Sequence, residues 1–342
     1  MGEAAVHAVA VSTRIIPAMD LRGGIDLGGT KIQAVVVDPA HEVLGEERRA
    51  TPTGGGPADV AAAMAEALAA AAGAAGIATG DLIGVGVGSP GEIDVVQGTV
   101  TQARNLPGWR ASYALGPELA TLVGAPVALG NDVNVATHAE AELGAGSEFG
   151  SMLGVFWGTG VGGGIVLDDA LWAGRGAGGE LGHVVVRIGG RRCPCGRRGC
   201  LEAYAGRAAM EARARKLVEE GRETKLFQLM DKHGRDRLTS GIWSRALERD
   251  DDVAREIVTE AVEALGAGVA SAVNLLDVEA VIVGGGLGLR LGEPYREHIE
   301  AAMRPHLFSD DDPPAVRLAA LGDLGGAIGA ALLALPDRAA DG

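Results

Sequence analysis

Two stretches of this chain share one pattern: an apolar run, a glycine turn, and a second apolar run that answers the first. That pattern limits the possible folds more than any other feature. Gly24–Leu27 and Ile32–Val37 flank Gly28-Gly29-Thr30-Lys31. The stretch from Leu153 to Gly164 repeats it around Gly158-Thr159-Gly160-Val161-Gly162-Gly163-Gly164. β-Branched runs joined by a glycine turn are hairpin signals. The first pair continues past Asp38-Pro39 into Glu42–Ala50, which suits a third strand. Each start therefore opens a meander, and the chain reads as two related α/β halves.

The remaining elements alternate. Asp59 to Ala75 is an Ala-rich helix, capped by Asp59 or by the Pro57 turn. Leu82–Val87 is a buried strand ending in Gly88-Ser89-Pro90-Gly91, and Pro126–Leu129 a short one ending in Gly130-Asn131-Asp132 before the helix Val133–Leu143. Met152–Trp157 and Gly164–Leu167 are strands, and from Tyr204 onward the chain is mostly helical. Asp252 to Leu276 is a long amphipathic helix, followed by the strand Ala280–Val283, Gly284-Gly285-Gly286 and a last helix over about Leu324–Leu335. Residues 1–22 look like an extension outside the fold.

Composition excludes several classes. At 342 residues the expectation is two domains or one large one, and 47% apolar residues suffice for a sizeable core. The 55 glycines follow no G-X-Y period, so they are expected in ordered loops rather than in a collagen. A formal net charge of −15 argues against binding nucleic acid or an anionic membrane through the whole surface, yet leaves room for a local anion site. No stretch spans a bilayer, since Val60 to Ala78 is Ala and Gly around Glu66 and reads as a packed helix. The N-terminus has Glu3 where a secretory signal has Lys or Arg, which favours a cytoplasmic protein.

Three glycine loops are candidate phosphate sites. In the first, Gly28 and Gly29 let the backbone approach an anion, Thr30 offers a hydroxyl, Lys31 a cation, and Asp26 a carboxylate for hydrated Mg²⁺. The plainer reading is an ordinary hairpin turn, and the residues alone leave both open. The second loop, with Thr159 and Gly160, contains G-x-G-x-x-G but runs into a strand instead of a helix, so dinucleotide binding is disfavoured and a strand–turn–strand around phosphates fits better. No G-x-x-x-x-G-K-[ST] occurs. The third loop, with Gly284 and Gly285, ends a buried strand and could pass an adenosine closely, or be a loose turn. Asp132 follows a strand and opens a helix. It reads either as the helix cap or as a general base at a strand end, and three phosphate-like loops favour the base.

All three cysteines lie in Cys193–Cys200, and with His183 they form H-x9-C-x-C-x4-C. Three thiolates and one imidazole match a closed tetrahedral zinc site better than a disulfide framework. Glu180 and Glu202 flank it. They are either solvated surface acids or, with the zinc-folded loop, face a polyhydroxyl ligand.

In order and together, these motifs resemble the repressor/open-reading-frame/kinase (ROK) sugar kinase family, and within it the bacterial ATP-dependent glucokinases. The residues that carry the resemblance are Asp26–Lys31, Gly88–Gly91, Asn105-Leu106-Pro107-Gly108-Trp109, Gly130-Asn131-Asp132, Gly158–Gly164, Glu180-Leu181-Gly182-His183 and Cys193–Glu202, over about Gly24 to Leu335. The resemblance implies an actin-like, hexokinase-type ATPase fold with two α/β domains flanking a cleft. The smaller would be 23–132, completed by a C-terminal helix at 323–336. The larger would be 133–322, with a zinc loop at 183–202. It implies phosphorylation of the 6-hydroxyl of glucose by ATP, with mannose, fructose or N-acetylmannosamine as alternative acceptors and polyphosphate as a less fitting donor. Asp132 would be the base. Gly91, Asn105, Asn131, Glu180, His183 and Glu202 would meet the sugar. Asp26, Gly28, Gly29, Thr30, Lys31, Thr159, Gly160, Gly284 and Gly285 would meet Mg²⁺ and nucleotide, and His183 would serve zinc and sugar together. A homo-oligomer, dimer or tetramer, is expected. Repressors of the family carry a DNA-binding domain before the first loop, and the 25 residues before Asp26 are too few for one. A non-catalytic sugar binder would not require Asp26 and the phosphate loops.

Overall fold

The computed structural model describes residues 20–103, 106–309 and 311–334. The chain opens with an antiparallel meander of β1 (Arg22–Leu27), β2 (Lys31–Val37) and β3 (Val43–Ala50), then helix α1 (Pro57–Ala74) and β4 (Gly84–Ser89). A small hairpin of β5 (Glu92–Asp94) and β6 (Thr99–Thr101), then α2 (Leu115–Val123), lead to β7 (Val127–Asn131) and α3 (Asp132–Leu143). A second meander follows, of β8 (Met152–Trp157), β9 (Val161–Leu167) and β10 (Ala170–Leu171). Next come α4 (Glu202–Ala205), α5 (Arg207–Glu219), α6 (Leu226–Lys232), α7 (Ser240–Leu247) and α8 (Asp252–Leu276). The chain closes with β11 (Ala280–Gly284), α9 (Gly285–Leu291), α10 (Glu293–Met303), β12 (Ala315–Leu318) and α11 (Gly325–Leu332).

The two five-stranded sheets have the orders β3-β2-β1-β4-β7 and β10-β9-β8-β11-β12. In each, an antiparallel meander is extended by two parallel strands on the side of its first strand. The repeated glycine-turn pattern is thus a repeated topology. Among the described residues no helix is long and apolar enough to cross a membrane.

Side-chain alternation assigns the faces of the first sheet. Ile32, Ala34 and Val36 pack with Val60, Met64 and Leu68 of α1, whereas Val35 and Val37 pack with Ala327, Ile328 and Ala331 of α11. Strand β4 alternates Gly84-Val85-Gly86-Val87-Gly88, with its valines toward α1. Its glycines seat α11 and α3: a Cβ at Gly86 would overlap Ala330 O, and one at Gly88 would lie 3.4 Å from Asp132 Cα. Helix α3 also packs on β8 and β9 of the second sheet, so α3 and α11 join the halves.

Several boundaries differ from the sequence reading. Leu21 and Arg22 are buried, and Arg22 begins β1, so the fold starts before residue 23; residues 1–19 lie outside the described ones. The last helix occupies Gly325–Leu332, preceded by a 3-10 turn over Gly322–Leu324. The second glycine loop is shorter than expected, because β9 already begins at Val161. Gly162, Gly163 and Gly164 are strand residues, and many glycines serve packing instead of loops. A Cβ at Gly164 would overlap Thr137 Oγ1 of α3.

This packing predicts opposite outcomes for two Gly→Ala changes. Gly86→Ala forces carbonyl and methyl together and should lower stability by at least ~1–3 kcal/mol. Gly73→Ala, on an exposed turn of α1 with open space around it, should raise it by ~0.5–1 kcal/mol. Urea unfolding of the two variants measures both signs.

Candidate active site

The first glycine turn projects from the β1–β2 hairpin. Gly28 N–H donates to Lys31 O at 2.9 Å, and Thr51 Oγ1 donates to Gly28 O at 2.6 Å, which pins the turn to the end of β3. Asp26 lies across from Gly88 in the β1–β4 register, and Gly88 from Gly130 in the β4–β7 register. The C-terminal ends of three parallel strands thereby bring Asp26, Ser89 and Asn131 to one edge, where ligands of open α/β sheets bind. The carboxyl of Asp26 abuts the first turn of α11, since a Cβ at Gly326 would come within 2.9 Å of its Cγ. Burial raises its pKa above the usual carboxylate range, with Lys31 opposing and Asp323 adding to the rise.

Asn131, not Asp132, caps α3. Its Oδ1 accepts from Val133 N–H and Asn134 N–H, both at 3.1 Å. Asp132 is the first helical residue, and its carboxylate accepts from Val133 N–H at 3.0 Å. Burial first, then the charge of Asp26, with a smaller push from Glu180, raise its pKa to about 6. A carboxylate tuned close to neutral pH suits proton abstraction from an alcohol.

The β8–β9 turn lies at the matching edge of the second sheet. Gly158 N–H donates to Gly160 O at 2.9 Å, and Glu202 Oε2 accepts from Val161 N–H at 3.1 Å. Glu202, two residues after Cys200, thus ties the end of the cysteine loop to the turn. Gly285, with φ of +80°, packs against the end of β8, where a Cβ would sit 2.6 Å from Trp157 N. The second and third loops are therefore neighbours. Gly91, with φ of +98°, sits against Thr101 O of β6. Asn105 lies outside the described residues.

Glu180 precedes the 3-10 turn Leu181–His183. Its Oε2 stands 3.9 Å from His183 Nε2, while His183 Nδ1 is 3.8 Å from Cys193 Sγ. Cys195 Sγ and Cys200 Sγ are 3.7 Å apart, and all four ligand atoms lie within 4.8 Å of one another, a spread that one metal ion can bridge. Backbone bonds close the knuckle, Gly196 N–H to Cys193 O and Cys193 N–H to Arg197 O, each 2.9 Å. Arg191 fastens it to α8 through Glu260 at 2.8 Å and stacks over Tyr204 at 4.9 Å. The imidazole presents one nitrogen to the cysteines and the other to Glu180.

Among the described residues, the sequence reading passed over Arg207, Ser240, Arg245 and Arg290, which stand outside the glycine motifs. Arg207 bonds Thr159, and the other three line a cavity of about 280 Å³ beside Gly286.

The family model described as "ROK family" matches residues 22–337. The chain belongs to the ROK family. A glucokinase of Halalkalibacterium halodurans is 35% identical over 90% of this chain and 92% of its own. The ROK glucokinase of Streptomyces griseus, solved with glucose and AMPPNP, superposes with a TM-score of 0.78 at 34% identity over 92% of this chain and 98% of its own. The ROK hexokinase of Thermus thermophilus gives a TM-score of 0.75 at 36% identity over 92% and 97%. The fold of this ROK protein is the actin-like, hexokinase-type one, two α/β lobes flanking a cleft.

The raised pKa of Asp132 has a sign. Its folded value of about 6 exceeds the ordinary 3.8, so its ionisation destabilises the fold, increasingly as pH rises from about 4 to about 6 and fully above. Asp132→Asn keeps an acceptor for Val133 N–H and removes that charge. The variant should melt higher than the parent at pH 8, with the gap closing by about pH 4, as read by calorimetry across pH.

Proposed function

We propose that this chain is an ATP-dependent sugar kinase that phosphorylates the 6-hydroxyl of glucose. The observation that carries the proposal is Asp132, a carboxylate relieved of the capping role by Asn131, raised to about 6, and set among the glycine turns and the Glu180–His183 pair. Phosphoryl transfer to an alcohol requires one group to take the proton while charge on the phosphoryl oxygens is held by donors.

In this mechanism the sugar lies against Glu180, His183 and Glu202, with Asn131, Asn105 and the Gly91 backbone completing its contacts. Glu202 keeps Oε1 for a hydroxyl while Oε2 accepts from Val161 N–H. Asp132 accepts the 6-hydroxyl proton as that oxygen attacks in line. The turns at Gly28–Lys31, Thr159–Gly160 and Gly284–Gly285 receive the nucleotide. Asp26, half-buried and without an ion pair among the described residues, suits Mg²⁺ through water, beside Thr30 and Lys31. That ion, when bound, neutralises phosphate charge. The smaller lobe, up to Asp132 and completed by α11, would close on the larger one and exclude water. The metal of the cysteine knuckle is proposed to be zinc. Tetrahedral Zn–S bonds of about 2.3 Å separate sulfurs by about 3.8 Å, close to the 3.7 Å found.

Elemental analysis should find one zinc per chain, and stripping it should weaken sugar binding because Glu180 and Glu202 are held by the same loop. Zinc-free protein with full activity contradicts this.

An ADP-release assay with a sugar panel tests the function. Glucose should exceed fructose and N-acetylmannosamine in kcat/KM by at least about tenfold, since each mispaired buried polar group costs ~1–3 kcal/mol. Activity should fall below about pH 6 as Asp132 is protonated. Asp132→Asn should lose about 10²–10⁴ in rate and still bind glucose. Higher efficiency with another hexose transfers the proposal to that sugar.

A further inference from the structure

Arg207 opens α5 directly behind the β8–β9 turn. Its backbone N–H donates to Gly158 O and that of Ala208 to Thr159 O, both at 3.1 Å, so the first turn of α5 holds the carbonyls of the glycine turn. Its guanidinium reaches two hydroxyls. Nη2 donates to Thr159 Oγ1 at 2.9 Å and Nη1 to Ser240 Oγ at 2.8 Å, and Ser240 is the first residue of α7.

Two features of this arrangement point outward. First, the charge is unbalanced. Among the described residues Arg207 has no carboxylate in an ion pair; Arg237 repels it, and Glu211, which attracts it from a distance, is itself bonded to Arg215 and to Leu238 N–H. The guanidinium borders a cavity of about 400 Å³ lined also by Thr159, by Arg215 and Arg237, and by the carboxylates of Glu211 and Asp236, so three cations face two anions there. An anion at the turn would balance it. Second, a threonine hydroxyl has one proton. With Arg207 donating to Thr159 Oγ1, that proton has to point away from the guanidinium, to an acceptor elsewhere.

We propose that Arg207 is a positioning residue for the phosphoryl donor: it orients the Thr159 hydroxyl as a donor to a phosphate oxygen and ties the glycine turn to α7. The inference rests on the reading that the Gly158–Gly160 turn meets the phosphates. Arginine suits the task because its planar fork carries two donor nitrogens at a fixed separation, whereas lysine has one nitrogen on a flexible stem.

The experiment measures KM for ATP at saturating glucose, and for glucose at saturating ATP. The variants are R207M, R207K, T159V, S240A and the double variant T159V/R207M, each with a melting curve. R207M should raise KM for ATP roughly tenfold or more, the size of one charge-assisted hydrogen bond, and leave KM for glucose within about twofold. R207K should recover little. The double variant should be no worse than the more severe single one, because both changes remove the same oriented hydroxyl. An unchanged KM for ATP in R207M, or effects that multiply in the double variant, overturns the inference. If T159V raises KM for ATP and R207M does not, the phosphate reading of the turn stands and the role of Arg207 falls. If neither does, both fall. Should R207M not fold, S240A decides, since it frees only the far end of the fork: KM for ATP raised roughly threefold supports the role, and an unchanged value overturns it.

Discussion

Helix α11 rests its backbone directly on β1 and β4, and the rest of the structure depends on that contact. At Gly24 and Gly86 a side chain would overlap the carbonyls of Ala327 and Ala330, and at Gly329 it would meet the α3 backbone at Val135. Only glycine lets helix and sheet approach this closely. The approach brings the first turn of α11 against Asp26, and lets α3 start where β7 ends, with Asp132 at its head. The far end of α3 is tied by Glu140. This buried carboxylate accepts from Ala145, Ala320 and Leu321 N–H, each at 2.9 Å, joining α3 to the segment that leads into α11. One polar clamp and a glycine seat thus hold the junction between the sheets.

The electrostatics of the junction run against those of an anion site. Burial, Asp26 and Glu180 raise the cost of ionising Asp132, and burial and Asp323 that of Asp26, in a chain that carries a net charge of −15. A nucleotide would meet that field unless local cations offset it. Such cations stand at the turns: Lys31 close to Asp26 in the first, Arg207 at the second, and Arg237, Arg245 and Arg290 along the cavities beyond, where Glu211 and Asp236 also lie. On the proposed reading, carboxylates lie where a proton would be taken and cations at the turns where phosphates would lie. Net charge describes the surface as a whole and says little about such a cleft.

Much of this was legible in the sequence because it is local. The two hairpin starts, the 25-residue helix Asp252–Leu276 and the Cys₃His spacing depend on nearby residues, and the structure holds all of them. The misread features depend on contacts between distant segments. Gly162–Gly164 look like loop residues until Val133 and Thr137 of α3 are seen against Gly162 and Gly164, and Leu181 against Gly163. Asp132 leaves two readings open, cap or base, and its neighbour Asn131 takes the capping role by accepting from Val133 N–H and Asn134 N–H. Arg207 carries no motif of its own, and its meaning comes from Thr159 and Ser240, respectively 48 and 33 residues away.

These glycine contacts change the weight of the motifs. Gly86, Gly162, Gly164 and Gly285 are demanded by close packing whether or not a phosphate ever binds. Any chain with this fold has reason to keep them, a sugar-binding repressor as much as an enzyme. They report architecture. The charged residues obey the opposite logic. Asp132 with its raised pKa subtracts stability at neutral pH, Asp26 is half-buried without an ion pair among the described residues, and Arg207 directs its charge at two hydroxyls. Packing asks for none of them. Residues that the fold carries at a loss are the ones that argue for chemistry, and here they converge on phosphoryl transfer.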